Sequence, residues 1–318
     1  MVGTFWEGLL DFGEDRIELY NDQNSSLRGA VGFEERERIT GMAYDDDNNL
    51  WITNQLAAEP LSVRRNDGSW MSFRLPCAST NVFDIDVDKN GFKWIVVRGS
   101  GVLLFDEGDL DINGDERCRL FTPSNSELPT NTINSIRVDR EGDVWVGTNE
   151  GAVVFDCGGS AFESICNGSR RIVEANGFFG FLLETEDVLS IGVDGANRKW
   201  FGTRNGIFVQ SSNGDEEVAR YNTSNSPLLD NTVRTIGINQ KNGEVWLGTD
   251  KGMITLRAEA TEADRVHSSS VYAFPNPVRP EYDGLIAIRG LAEDAHVKIT
   301  DMRGRLGVET SSLGGQAV

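Results

Sequence analysis

Gly142-Asp143-Val144-Trp145-Val146-Gly147-Thr148-Asn149-Glu150-Gly151-Ala152-Val153-Val154-Phe155-Asp156 is a unit that recurs. Gly243-Glu244-Val245-Trp246-Leu247-Gly248-Thr249-Asp250-Lys251-Gly252-Met253-Ile254 nearly repeats it. Further copies centre on Trp200 and Trp94, and a more degenerate one on Trp51. The steps between these tryptophans are 43, 51, 55 and 46 residues. A period in that range marks a repeat architecture.

Each copy has the same internal order. An alternating apolar run, such as Ile133-Asn134-Ser135-Ile136-Arg137-Val138-Asp139, is followed by a glycine turn. The Trp strand comes next, then a Thr-x-x-Gly turn and another short strand. Period-two alternation over such short runs predicts strands. Four short antiparallel strands per unit make a propeller blade, and neighbouring blades bury one another's faces. The expected fold is therefore all-β: a β-propeller of four-stranded blades, five to seven in number, followed by a small β-sandwich. The five tryptophans are expected to be core, packed between blades.

The propeller is predicted over residues 1–257. The front looks like half a blade, with Gly8-Leu9-Leu10-Asp11-Phe12 and Arg16-Ile17-Glu18-Leu19-Tyr20 as its strands. The apolar stretch Asn176–Leu183 reads as the outer strand of the Trp145 unit or as an exposed loop that meets a partner. Residues 258–270 are polar, break the repeat and read as a linker. A second domain is expected over 271–318. Either residues 8–20 complete a blade begun by the C-terminal strands or the chain is a piece of a longer protein; the abrupt end of the second domain favours the piece.

The formal charge of -20 disfavours nucleic acid and anionic surfaces as partners. No run of 18 apolar residues occurs, so no transmembrane segment is expected. Cys157 and Cys166 are placed to close a short loop in an oxidising compartment, whereas Cys77 and Cys118 lie in neighbouring units with their pairing open. The cysteines have no histidine nearby, which argues against zinc.

Asp109-Leu110-Asp111-Ile112-Asn113-Gly114-Asp115 puts oxygen ligands at alternate positions with glycine sixth, like the opening of a calcium loop. Asp109, Asp111, Asn113 and Asp115 are thus candidate ligands for a structural calcium. Leu120 stands where the closing Glu belongs, with Asp106, Glu107 or Glu116 as substitutes. The plain alternative is a solvated acidic hairpin. Asp45-Asp46-Asp47-Asn48 reads as an acidic turn of that plain kind. Arg98, Arg204 and Lys251 follow their Trp strands and are candidates for an anionic ligand. No nucleophile–base constellation is present, so no enzyme is expected.

The repeats around Trp145, Trp200 and Trp246, with the connector Tyr221-Asn222-Thr223-Ser224-Asn225-Ser226-Pro227-Leu228, resemble the two-component regulator propeller family. The end of the chain resembles the C-terminal signal domain of the type IX secretion pathway of Bacteroidetes. The matching words are Phe274-Pro275-Asn276-Pro277-Val278, Val297-Lys298-Ile299-Thr300-Asp301-Met302-Arg303-Gly304-Arg305 and Ser312-Leu313-Gly314-Gly315-Gln316-Ala317-Val318. Together these resemblances imply a non-enzymatic surface component of that secretion machinery, associated with the outer membrane after export through the periplasm. Its implied partners are the secretion machinery or anionic lipopolysaccharide. The alternatives are a secreted cargo with a binding propeller, or a periplasmic oligosaccharide sensor.

Overall fold

The computed structural model describes residues 1–317 apart from 14, 15, 113, 176, 259, 264–266, 269, 283, 285, 293, 294 and 313. The chain is all-β and forms two compact units, Met1–Leu189 and Ser190–Val318.

The first unit opens with a three-stranded antiparallel sheet of Val2–Gly3, Leu9–Phe12 and Ile17–Tyr20. It therefore has one strand more than the sequence reading assigned, because a two-residue strand leaves no periodicity to read. Two four-stranded sheets follow. One comprises Ile39–Tyr44, Leu50–Asn54, Leu61–Arg64 and Trp70–Phe73. The other comprises Val82–Val87, Lys93–Val97, Gly101–Asp106 and Arg117–Phe121. Both are simple meanders, the order expected of a blade.

The Trp145 sheet has three strands, Ile133–Val138, Val144–Thr148 and Gly151–Phe155. Its expected fourth strand is reduced to one bridge, in which Val154 and Ser169 exchange backbone hydrogen bonds of 2.9 and 2.7 Å. The chain then leaves the sheet edge. Ile172–Ala175 and Phe178–Phe181 pair with each other as a separate hairpin, so this stretch is not the sheet's outer strand.

In the second unit, Val188–Val193, Lys199–Thr203, Gly206–Gln210 and Glu217–Tyr221 make a four-stranded sheet whose first strand spans the division. Val233–Asn239, Glu244–Thr249 and Gly252–Arg257 make a three-stranded one. The end of the chain forms two small sheets, one of Tyr272–Phe274, Ala287–Arg289 and Gln316–Ala317, the other of His296–Thr300 and Leu306–Ser311. Part of the expected linker is packed. Ala258 and Glu262 donate backbone hydrogen bonds of 2.7 Å to Gly243 and Gln240, and Ala260 is fully buried.

Sheets stack face to face through their apolar residues. Trp51, Leu61 and Val63 pack against Val82, Ile95 and Leu103 of the next sheet. Trp94, Val102 and Leu104 pack likewise against Ile136, Val144 and Val153, and Trp200, Ile207 and Val209 against Val233, Val245 and Leu247. Trp51, Trp94, Trp145 and Trp200 are buried as expected, none more than 3% exposed. Trp246 is 43% exposed. The next sheet covers the indoles of Trp51, Trp94 and Trp200; among the described residues no sheet covers Trp246.

The repeated words each close a local structure. In Gly-Thr-x-x-Gly, Thr148 Oγ1 donates to the Gly151 carbonyl at 2.9 Å and accepts the Glu150 N–H at 3.0 Å. Thr203 does the same with Gly206 and Asn205. A side chain on Gly147 would sit 2.7 Å from Val188 Cγ1 and 2.6 Å from Ser135 Oγ, so glycine permits the close approach there. In the connector, Asn225 Oδ1 accepts the Asn222 N–H and its Nδ2 donates to the Arg220 carbonyl. Asn125 and Asn24 repeat that clasp.

Candidate interaction surface

The inner strands of the first unit carry charge. Asp84 and Asp86 lie on Val82–Val87, and Arg137 on Ile133–Val138. Asp84 Oδ2 accepts the Ile136 N–H at 3.2 Å, and Asp86 Oδ2 accepts the Val138 N–H at 2.8 Å. Arg137 Nη1 lies 3.5 Å from Asp86 Oδ2. Burial holds the Asp84 carboxyl above its ordinary range, against Arg137 and two backbone N–H groups. Desolvation lowers the Arg137 pKa, but Asp86 and Asp84 outweigh that and raise it. The two carboxylates thus cap backbone groups of the neighbouring sheet. Asn134 works similarly, donating to Asp187 at 2.8 Å and to the Val188 carbonyl at 3.0 Å. These polar groups hold sheets together.

A second polar contact joins sheets through a tryptophan. Lys93 is 1% exposed and pairs with Glu107, and its ammonium lies 3.9 Å from the centre of the Trp51 ring. Burial lowers the Lys93 pKa and raises that of Glu107, each opposed by the other's charge.

The turn cations singled out from sequence are engaged locally. Arg98 stacks 4.1 Å over the Phe83 ring, and Lys251 pairs with Asp230 at 3.0 Å. Arg204 is exposed on its turn. Each histidine also has a partner: His267 Nδ1 accepts the Ala292 N–H at 2.9 Å, and His296 Nε2 lies 2.6 Å from Glu309.

Of the candidate calcium ligands, Asn113 lies outside the described residues. Asp109 Oδ1 accepts the Asp111 N–H at 2.9 Å, and Asp115 Oδ2 accepts the Asp109 N–H at 2.9 Å. Asp111 pairs with Arg65 at 2.9 Å. Among the described residues no group of three or more His, Cys, Asp and Glu side chains is arranged to hold a metal ion.

Both cysteine pairs form disulfides, Cys157–Cys166 as the spacing suggested and Cys77–Cys118 between neighbouring sheets. No helix among the described residues is long and apolar enough to cross a membrane.

One exposed apolar surface of the first unit lies on the hairpin that leaves the Trp145 sheet. Ile172 faces Phe181 across the hairpin, and Glu174 faces Phe179. Ile172 and Phe179 are 60% and 74% exposed, and Phe181 is 40% exposed under the Arg170 guanidinium, 4.0 Å away. The base is anchored where buried Leu182 bonds to the Ala152 and Arg171 backbones. Isolated exposed hydrophobes are ordinary; a contiguous apolar face on a projecting hairpin marks a contact surface. The apolar run is visible in the sequence, but a strand completing the blade and a projection beyond it have the same residue pattern.

Comparison with known proteins fits this architecture. The model of the two component regulator propeller family matches residues 127–150. No curated protein matches the sequence. Among solved structures, the chain is similar to PorZ of Porphyromonas gingivalis, described as an essential bacterial surface component of the type IX secretion system. The similarity has 25% identity and a TM-score of 0.74, and covers 99% of this chain and 44% of that one. The chain thus spans less than half the length of that relative. It is also similar to the extracellular domain of BT4673, a putative one component system of B. thetaiotaomicron. Here the identity is 18% and the TM-score 0.53, with 97% of this chain and 38% of that one covered. That second likeness speaks for the fold alone.

Proposed function

We propose that this chain is part of a non-enzymatic, PorZ-like surface component of a type IX secretion system. It supports the attachment of secreted cargo by holding protein or glycan partners, the secretion machinery and anionic lipopolysaccharide being the partners of this reading. The observation that carries it is the likeness to PorZ over 99% of the chain, at a TM-score of 0.74. The contact geometry supports a binding role: inner-strand charges are spent on neighbouring sheets, while Ile172, Phe179 and Phe181 face outward. In this reading residues 1–257 are the propeller, 258–270 the connection, and 271–318 a C-terminal signal-type domain.

The test is deletion of the gene in its native cell, followed by complementation with wild type or with Phe179→Ser/Ile172→Ser. Loss of unrelated cargo from the surface, restored by wild type and not by the folded double variant, is the expected result. Unaffected cargo after deletion, with this protein itself exported, would make it a passenger. Full rescue by the double variant would leave the machinery role standing and remove the hairpin from it.

A further inference from the structure

The loops beside the first sheet form an open cleft of about 610 Å³, lined by Glu7, Asp22, Glu34, Glu35 and Glu37. Among the described residues, only Glu35 of these five pairs with a cation, Arg36 at 3.3 Å. Glu37 is 5% exposed. One of its oxygens accepts the Asp22 N–H at 3.4 Å, and the other takes no hydrogen bond from the described residues. Glu37 thus lines the cleft with one carboxylate oxygen held by the loop and the other left for a donor from the cleft.

Two arginines of the same loops, Arg36 and Arg38, are stacked on aromatic rings at the rim. Arg36 lies 3.9 Å from the centre of the Trp6 ring and 5.1 Å from that of Phe33. Arg38 lies 5.2 Å from Phe5 and 5.3 Å from Phe33. The guanidinium groups interleave with three exposed rings, a cation–π ladder that braces the 4–8 loop against the 30–38 loop. The ladder fixes the rim and leaves the carboxylates to the cleft.

The cleft is much larger than a metal ion, and no described group of acids is arranged to hold one. Ile17–Tyr20 ends its sheet, and its Leu19 lines the cleft, so an extended peptide has a strand edge to lie along. We propose that this cleft binds a lysine- or arginine-bearing peptide segment of a partner protein, with Glu37 and Glu7 receiving the cationic side chain. The proposal goes beyond the secretion reading and is tested without it.

The experiment is fluorescence anisotropy with a labelled pentalysine peptide on the full chain. The variant is Glu7→Gln/Glu37→Gln. The charge-matched control is Asp215→Asn/Glu216→Gln, on an exposed turn of the other unit. The expected result is a loss of affinity of about tenfold or more in the first and less than twofold in the second. The N-acetylated-lysine peptide should bind neither variant nor wild type. Equal losses in the two variants would reduce the effect to diffuse net charge and overturn the site, as would absence of binding to wild type. Melting of Glu37→Gln alone separates folding from binding. An unchanged or raised Tm is expected, since glutamine can still accept the Asp22 N–H and one charge is removed from a cluster of like charges. A lowered Tm with unchanged peptide affinity would make Glu37 structural and overturn its role. Glu7→Gln, at an exposed position, keeps the site testable in that event.

Discussion

The indole N–H of Trp94 donates to Asp88 Oδ2 at 2.9 Å, across six residues of chain. The same bond joins Trp51 to Asp45, Trp145 to Asp139 and Trp200 to Asp194, at 2.9, 3.0 and 2.9 Å. The second oxygen of Asp88 accepts the N–H groups of Asn90 and Phe92, which closes the turn between the two strands. One carboxylate therefore sets the turn and orients the tryptophan. Replacing Asp88 by Ala removes all three bonds and leaves a buried indole N–H without an acceptor. The expected cost is about 3 kcal/mol, measured by urea unfolding with Asp46→Ala, an exposed acid of a turn, as control.

Two of these carboxylates respond to pH with opposite sign. At Asp45 burial raises the pKa, but bonds from Trp51 and Asn49 and the charge of Lys93 outweigh it, and the carboxyl titrates below its ordinary range. At Asp88 burial outweighs bonds of the same kind, and the carboxyl titrates above its ordinary range. A depressed native pKa contributes stability above the unfolded value and loses it as pH falls through the native value. An elevated one diminishes stability above the native value, and that deficit disappears as pH falls toward the unfolded value. The penalty of Asp45→Asn relative to wild type should shrink between pH 7 and pH 3, whereas that of Asp88→Asn should grow. Parallel denaturation curves over that range check it; the same slope for both would refute the assignment.

Lys93 and Glu107 form a buried pair against the Trp51 ring. Lys93→Met strands a carboxylate inside the protein and should cost about 3–5 kcal/mol. Lys93→Met/Glu107→Gln should recover much of that. A double variant no better than the single would mean that the packing of the lysine stem on Trp51 matters more than charge.

The disulfides should differ in worth. Cys77–Cys118 spans 41 residues and Cys157–Cys166 spans 9. Loop-closure entropy then gives about 4 kcal/mol for the first and about 2.5 kcal/mol for the second. Serine pairs at each site, compared by chemical denaturation, should preserve that order.

Calcium at Asp109, Asp111, Asn113 and Asp115 is a proposal from the sequence pattern. An ion there would compete with Arg65 for Asp111. Millimolar calcium should raise Tm in wild type and not in Asp109→Asn/Asp111→Asn. An unchanged Tm would assign the loop to its ion pair and internal hydrogen bonds.

The blade pattern was legible because tryptophan, glycine and threonine recur at a fixed local spacing and each does a local job. The Asp–Trp bond was half visible. Asp139 stood in the motif, but Asp45 read as a solvated acidic turn, because burial and an acceptor role cannot be seen in a short acidic run. The exposure of Trp246 was not legible from its own copy, which has the full Trp-Leu-Gly-Thr word. Two things distinguish it: Gln240 stands where the other units have Asp, donating instead to the Val193 carbonyl, and no described sheet lies over the ring. The inner-strand charges were missed as a group because Asp84 and Asp86 are 51 to 53 residues from Arg137 and meet it only through stacking of the sheets.

The carboxylate–indole bond also bears on how such a chain can change over evolutionary time. Its two ends are always six residues apart, while the intervals from one tryptophan to the next range from 43 to 55. Each of these four repeats carries its own fastener, and all the length variation falls outside it. Insertions such as the projecting hairpin, and the gain or loss of whole units, can therefore accumulate without any one unit losing the means to hold its strands. Repeat number and loop length are free to drift under selection for partners, while the six-residue clasp stays under selection for folding.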